Sequence, residues 1–113
     1  MSMDPENVAS EYFARMRAGD ISVVDLFHDD GTLVGLGTTR SGKAAIREFY
    51  QGVIERAGPT PRSAGPLLVN GSRVAAEVFI DLADGQVIHA VDIFVVEKNR
   101  IRSLTYFLCA HSD

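Results

Sequence analysis

The sequence predicts an α+β domain in which helices come first and an antiparallel sheet follows. Near the N-terminus, apolar residues recur at helical spacing, at Val8, Tyr12, Phe13 and Met16. In the second half they alternate at strand spacing in residues 73–82, and residues 86–97 contain a long apolar run that predicts the longest strand. The chain has 113 residues, which suits one domain spanning residues 1–113.

Three helices are predicted in the N-terminal half. The first begins at Asp4 and Pro5, because Asp is a good N-cap and Pro suits the first helical position. Asp20 begins a short second helix, and Ser41 caps the third. A short strand at residues 32–34 lies between the second and third helices.

Two segments rich in glycine, proline or threonine are expected to be loops, at residues 35–39 and 58–66. The remaining half of the chain is expected to form the sheet. Its strands are predicted at residues 66–69, 73–82, 86–97 and 101–110. Tight turns between them favour a mostly antiparallel arrangement.

Composition excludes several classes of function. The net charge is −4 and no basic stripe is present, so we expect no nucleic-acid partner. No phosphate-binding glycine motif or Cys/His cluster occurs, so we expect no cofactor and no metal. No run of 18 apolar residues and no signal-peptide pattern is visible, so we expect a cytoplasmic protein without a membrane partner.

The candidate site combines two polar residues in apolar surroundings. Tyr12 lies on the inner face of the first helix, and Asp92 lies inside the apolar run of residues 87–96. An isolated buried charge is costly, so this carboxyl must be neutral, paired or functional. A neutral Asp and a Tyr aimed at one point would donate two hydrogen bonds to a substrate oxygen.

The alternation of side chains between the two faces of this strand also predicts a surface that contacts a partner subunit. If Asp92 faces inward, His89, Val91, Ile93 and Val95 face outward. This outer face is mostly apolar, and no further chain remains to cover it. We therefore expect a homodimer formed through the outer face of the sheet.

The chain resembles ketosteroid isomerases, within the NTF2-like (SnoaL-like) superfamily. The resemblance rests on residues 18–20 (AGD), 26–32 (LFHDDGT) and 40–50 (RSGKAAIREFY), and it covers nearly the whole chain. The combination of Tyr12, Tyr50 and Asp92 is its narrower part. It implies a cone-shaped domain, with three N-terminal helices packed on a curved, mostly antiparallel sheet.

The resemblance also implies roles for individual residues. Tyr12 and a protonated Asp92 correspond to the donors that hold the dienolate oxygen. Tyr50 corresponds to a second Tyr that hydrogen-bonds the first. Positions that line the steroid cavity in the family correspond to Phe49, Phe94 and Leu108.

One departure from the family concerns the catalytic base. The family has an Asp just after the first strand, and Gly35 falls at that position here. Without the base, no obvious group carries the proton between two carbons. We therefore expect weak isomerase activity on a 3-oxo-steroid-like enone, and Gly35→Asp would be expected to raise it at least about tenfold.

Other interpretations stay open at this point. The same pocket could bind a small apolar carbonyl compound or a phenol without turnover, and cyclisation of a polyketide is a further possibility within the superfamily. Glu77 would reach the pocket if a bulge shifted its strand by one residue. Asp29 and Asp30 are expected to close a turn before the first strand.

Overall fold

A computed structural model describes residues 4–109 as two α-helices and one 3-10 helix packed on a seven-stranded sheet. The helices are α1 (Pro5–Arg17), the 3-10 helix (Ile21–Leu26) and α2 (Lys43–Ala57). The strands are β1 (Phe27–Gly35), β2 (Thr38–Ser41), β3 (Thr60–Ser63), β4 (Leu68–Asn70), β5 (Arg73–Asp81), β6 (Val87–Glu97) and β7 (Arg100–Leu108).

Helix α1 begins as the sequence predicts. The Asp4 carboxylate accepts a hydrogen bond of 2.8 Å from the backbone N–H of Asn7, and Pro5 occupies the first turn. This satisfies one of the N–H groups that a helix start leaves unpaired. The buried face of α1 carries Val8, Ala9, Tyr12, Phe13 and Met16.

The helix arrangement differs from the prediction of three N-terminal α-helices. The second helix is a six-residue 3-10 helix, begun by Asp20, whose side chain accepts from the N–H of Ser22. Short segments favour this tighter form, and Phe27 already has extended geometry. The third helix begins only after a hairpin of two strands, and its N-cap is Gly42 rather than Ser41.

The sheet is curved and mixed, with strand order β2-β1-β7-β6-β5-β3 and with β4 also paired to β5. Strand β1 runs parallel to β7, whereas the other pairings are antiparallel. The parallel pair arises because the chain crosses from β1 through α2 and the remaining strands before it returns as β7.

Two predicted loops contain strands. Residues 35–39 form the tight hairpin between β1 and β2, and its turn residues Leu36 and Gly37 both have positive φ. The Pro-rich residues 58–66 include β3, which lies at the sheet edge. Pro61 is compatible with that position because proline has no backbone N–H, and an edge strand has positions whose N–H would not pair with another strand.

The prediction that Asp92 shares its face of β6 with Ala90, Phe94 and Val96 is confirmed. Ala90, Asp92, Phe94 and Val96 are buried on the side facing the helices, and the residues between them are half-buried on the other side. Of the described residues, Asp92 is the only one with an acidic or basic side chain that is buried in this core. No helix within residues 4–109 is long and apolar enough to cross a membrane.

Candidate functional site

A cavity of about 300 Å³ lies between the two α-helices and the concave face of the sheet. We call it the central cavity. Its apolar walls include Met16 from α1, Val53 from α2, and Ile80 and Ile88 from the sheet. Aromatic and aliphatic walls with a few polar groups are typical of small-molecule sites.

Of the described residues that line the central cavity, only Asp92 carries a carboxyl group. It is 6 % exposed, and its side chain has no hydrogen-bond partner within residues 4–109. Burial raises the pKa of Asp92 from 3.8 to about 7. The carboxyl is therefore partly protonated at neutral pH, and it can either donate or accept a proton.

Tyr12 and Tyr50 enter the central cavity from α1 and α2. Their hydroxyl oxygens lie 2.8 Å apart, so one donates a hydrogen bond to the other. Burial raises the pKa of Tyr12 well above its ordinary value, and the neighbouring Tyr50 and Asp92 raise it further. Burial also raises the pKa of Tyr50. Both phenols are therefore neutral donors at physiological pH.

The structure thus brings Tyr12, Tyr50 and Asp92 to one cavity. These three residues come from three elements far apart in the chain, α1, α2 and β6. Two hydroxyls and a partly protonated carboxyl are arranged around this space, and within residues 4–109 Tyr106 is the one further ionisable side chain that lines it. Such a set can stabilise negative charge that develops on a ligand oxygen.

The other predicted pocket residues occupy different positions. Phe49 lines the central cavity, and Leu108 lies at its wall while 44 % exposed. Phe94 is fully buried behind the site and does not line the central cavity. Its ring makes edge contacts with Tyr12 and Phe13, at centroid distances of 5.2 and 5.6 Å. Phe94 therefore supports the position of Tyr12.

Tyr106 is a cavity residue that the sequence analysis missed. It lies on β7 directly opposite Asp92 and lines the same cavity. Its ring covers Gly35, because a Cβ built on Gly35 would lie 2.1 Å from Tyr106 Cζ. The parallel pairing of β1 with β7 creates this contact, and that pairing is not visible in the local sequence pattern.

The alternative acidic residues lie outside the central cavity. Glu77 is on the outer face of the sheet, where its carboxylate lies 2.6 Å from the ring nitrogen of His89. No bulge shifts β5 against β6 at this position, so the condition under which Glu77 would reach the pocket is not met. Asp29 and Asp30 belong to β1 rather than to a turn, and they contact Lys43 and Arg102.

Comparison with known proteins agrees with the fold. The family model described as SnoaL-like domain matches residues 9–104. No curated protein matches the chain.

Solved structures provide the second comparison. A putative polyketide cyclase from Pseudomonas putida is 26 % identical, with a TM-score of 0.77 over 94 % of this chain and 92 % of that one. A protein with a ketosteroid isomerase-like fold from Catenulispora acidiphila, in complex with trimethylamine, is 15 % identical. Its TM-score is 0.80, over 93 % of this chain and 86 % of that one. An NTF2-like protein of unknown function from Cytophaga hutchinsonii is 15 % identical, with a TM-score of 0.81 over 96 % of this chain and 93 % of that one.

Proposed function

The chain belongs to the SnoaL-like domain family, and we propose that its central cavity binds a small, largely apolar molecule through a carbonyl or phenolic oxygen. We further propose that Tyr12 and Asp92 promote proton transfer next to that oxygen. The observation that carries the proposal is the buried Asp92 carboxyl, which faces an apolar cavity without a hydrogen-bond partner among residues 4–109. A ligand oxygen would supply the missing partner.

The reaction that fits best is isomerisation of a β,γ-unsaturated ketone to the conjugated ketone. In this proposal water takes up a proton from the carbon between the carbonyl and the double bond, which produces a dienolate. Tyr12 and the protonated form of Asp92 donate hydrogen bonds to the dienolate oxygen. A proton then returns at the far end of the former double bond, and the net composition of the molecule is unchanged.

The proposed isomerase is weak because the described residues that line the cavity include no second carboxylate. When Asp92 is protonated and holds the oxygen, it is not available to remove the carbon-bound proton. Loss of a positioned general base typically lowers a rate by about 10²–10⁴. The two donors still lower the barrier, since removal of one donor of this kind typically costs about 10²–10³ in kcat.

A second candidate reaction needs only one acid–base group. In an intramolecular aldol cyclisation, the ionised Asp92 would remove a proton next to one carbonyl. The resulting enolate carbon would bond to a second carbonyl carbon of the same molecule, and the proton would return to the new alkoxide oxygen. The pKa of about 7 favours this use, because both forms of Asp92 are populated at neutral pH.

The test follows the appearance of a conjugated enone by its ultraviolet absorbance. We expect the purified protein to convert a β,γ-unsaturated cyclic ketone above the buffer rate, and both Tyr12→Phe and Asp92→Asn to lower that rate. Asp25→Asn is the matched control, because Asp25 is exposed on the 3-10 helix and does not line the central cavity. The control variant should retain the rate of the unmodified protein.

The enone assay, together with phenol binding and product analysis, distinguishes the three candidate functions. No conversion above buffer would exclude the isomerase. If a phenol still binds and Asp92→Asn weakens that binding, the protein is a binding module for a phenolic or carbonyl ligand. Consumption of an open-chain diketone, with a cyclic product detected by mass spectrometry, would favour the aldol cyclisation.

A further inference from the structure

Tyr106 occupies the space that a side chain at position 35 would need. A Cβ built on Gly35 would lie 2.1 Å from Tyr106 Cζ and 2.3 Å from both Cε atoms. Real carbon atoms do not approach so closely without a shift of one partner. The hydroxyl end of the Tyr106 ring therefore lies directly over the backbone of Gly35, at one side of the central cavity.

The Tyr106 ring is held in place by an aromatic stack. It is stacked on Phe49, with the ring centroids 6.3 Å apart and the planes 25° from parallel. The guanidinium carbon of Arg40 lies 4.3 Å from the Phe49 centroid, where a cation–π contact stabilises that ring. Both rings line the central cavity, so they form a supported aromatic wall.

This wall lies next to the polar end of the cavity. Tyr106 is directly opposite Asp92 on the neighbouring strand, and residues opposite each other in an antiparallel pair have side chains about 5 Å apart. A ligand oxygen that reached Asp92 would therefore place its first ring against Tyr106. The cavity measures about 300 Å³, which is the lower limit for small-molecule sites.

We propose that Tyr106 is a specificity-determining residue that restricts the ligand to one or two fused rings and disfavours a four-ring steroid skeleton. This inference rests on the proposed function, because it assumes that the ligand oxygen binds at Tyr12 and Asp92. It changes the substrate class that the family resemblance implies. The physical reason is that a close-packed wall rejects added volume by forcing side chains away from their preferred positions.

The experiment measures dissociation constants for phenols of increasing size by titration calorimetry. The probes are phenol, 2-naphthol and a four-ring phenolic steroid, and the proteins are the unmodified chain, Tyr106→Phe, Tyr106→Ala and Tyr106→Val. We expect the unmodified chain to bind 2-naphthol at least about tenfold more tightly than the steroid. Tyr106→Phe should keep this preference, and the two smaller side chains should reduce or invert it by about tenfold or more.

The size restriction would be overturned if the unmodified chain bound the steroid at least as tightly as 2-naphthol, or if the preference were unchanged in folded Tyr106→Ala and Tyr106→Val. Circular dichroism shows whether each variant is folded, and the preference of the unmodified chain is informative even if both fail to fold. If the three phenols bind without size preference and Asp92→Asn weakens the binding of each, only the size restriction fails. If no phenol binds, or if Asp92→Asn has no effect, the proposed function fails with it.

Discussion

The hydroxyl oxygens of Tyr12 and Tyr50 lie 2.8 Å apart inside the central cavity, and a single proton lies between them. The proton of the other hydroxyl is then free to interact with a third oxygen. If Tyr50 donates to Tyr12, the phenol of Tyr12 donates to the ligand and its hydrogen bond is strengthened by the first one. In that arrangement the pair would form a short relay of hydrogen bonds from Tyr50 through Tyr12 to the proposed ligand.

This relay predicts unequal effects of two matched variants. We expect Tyr12→Phe to lower isomerase kcat by about 10²–10³, because it removes a donor to the developing oxyanion. Tyr50→Phe should lower kcat by about tenfold or less, because it removes a donor only from Tyr12. Steady-state kinetics on one enone would measure both. Equal losses would show that Tyr12 does not contact the ligand.

The stability of the protein should fall as the pH rises through the range set by Asp92. Its pKa is about 7 in the folded state and 3.8 is its ordinary value. Between these values the unfolded chain has released the proton while the folded chain still binds it. The folded state is thus favoured at low pH, and that advantage is lost as the pH approaches 7.

Urea denaturation at pH 5 and pH 8 would measure this loss. Relative to Asp92→Asn, which does not titrate, the unmodified protein should lose on the order of 3 kcal/mol of unfolding free energy over this interval. Asp25→Asn should follow the unmodified protein. If the difference between the unmodified chain and Asp92→Asn stays constant with pH, the carboxyl has no raised pKa.

The contact of Tyr106 with Gly35 argues against the prediction that Gly35→Asp alone raises isomerase activity. A carboxylate at position 35 collides with the Tyr106 ring, and overpacking of this kind typically costs about 1–3 kcal/mol. We therefore expect the single variant to be less stable and to gain no activity. The double variant Gly35→Asp, Tyr106→Ala has room for the carboxylate and should exceed Tyr106→Ala in rate by about tenfold or more.

Thermal denaturation and the enone assay, applied to the two single variants and the double variant, would check this. Tyr106→Ala is the control, because it opens the same space without adding a base. A single Gly35→Asp variant with unchanged stability and raised activity would contradict the contact. Equal rates for the double variant and Tyr106→Ala would show that position 35 does not face the reacting carbon.

Leu36 combines an unfavourable backbone conformation with an exposed apolar side chain. Its φ is +52°, it is 72 % exposed, and it still lines the central cavity. Asn adopts a positive φ in such hairpin turns more readily than Leu does. Leu36→Asn should therefore raise the unfolding free energy by about 1 kcal/mol and weaken phenol binding. Unchanged binding would show that Leu36 does not contact the ligand.

The outer face of the sheet supports the proposed homodimer. Val91, Ile93 and Val95 are half-buried there, and Phe107 is 56 % exposed. We expect sedimentation to show a dimer for the unmodified chain and a monomer for Val91→Glu, since a charge in an apolar interface is costly. Gln86→Glu, at an exposed turn position, is the charge-matched control and should remain a dimer. A monomeric unmodified chain would exclude this interface.

The local sequence determined the features that depend on periodicity and capping. Apolar spacing and the Asp4 cap predicted α1, alternation predicted β5, and a long apolar run predicted β6. These patterns are informative because the repeat of a helix or strand decides which side chains become buried. Tyr12 and Asp92 could therefore be selected as site residues before any contact was known.

Only the tertiary structure decided which residues meet across separate elements. The pairing of β1 with β7 placed Tyr106 over Gly35, and edge pairing with β5 made a strand of residues that include Pro61. The resemblance implied a hydrogen bond between Tyr12 and Tyr50, and the structure gives it a length of 2.8 Å between two helices, although the residues are 38 positions apart. Such contacts depend on long-range packing of the whole chain, which no short window of sequence contains.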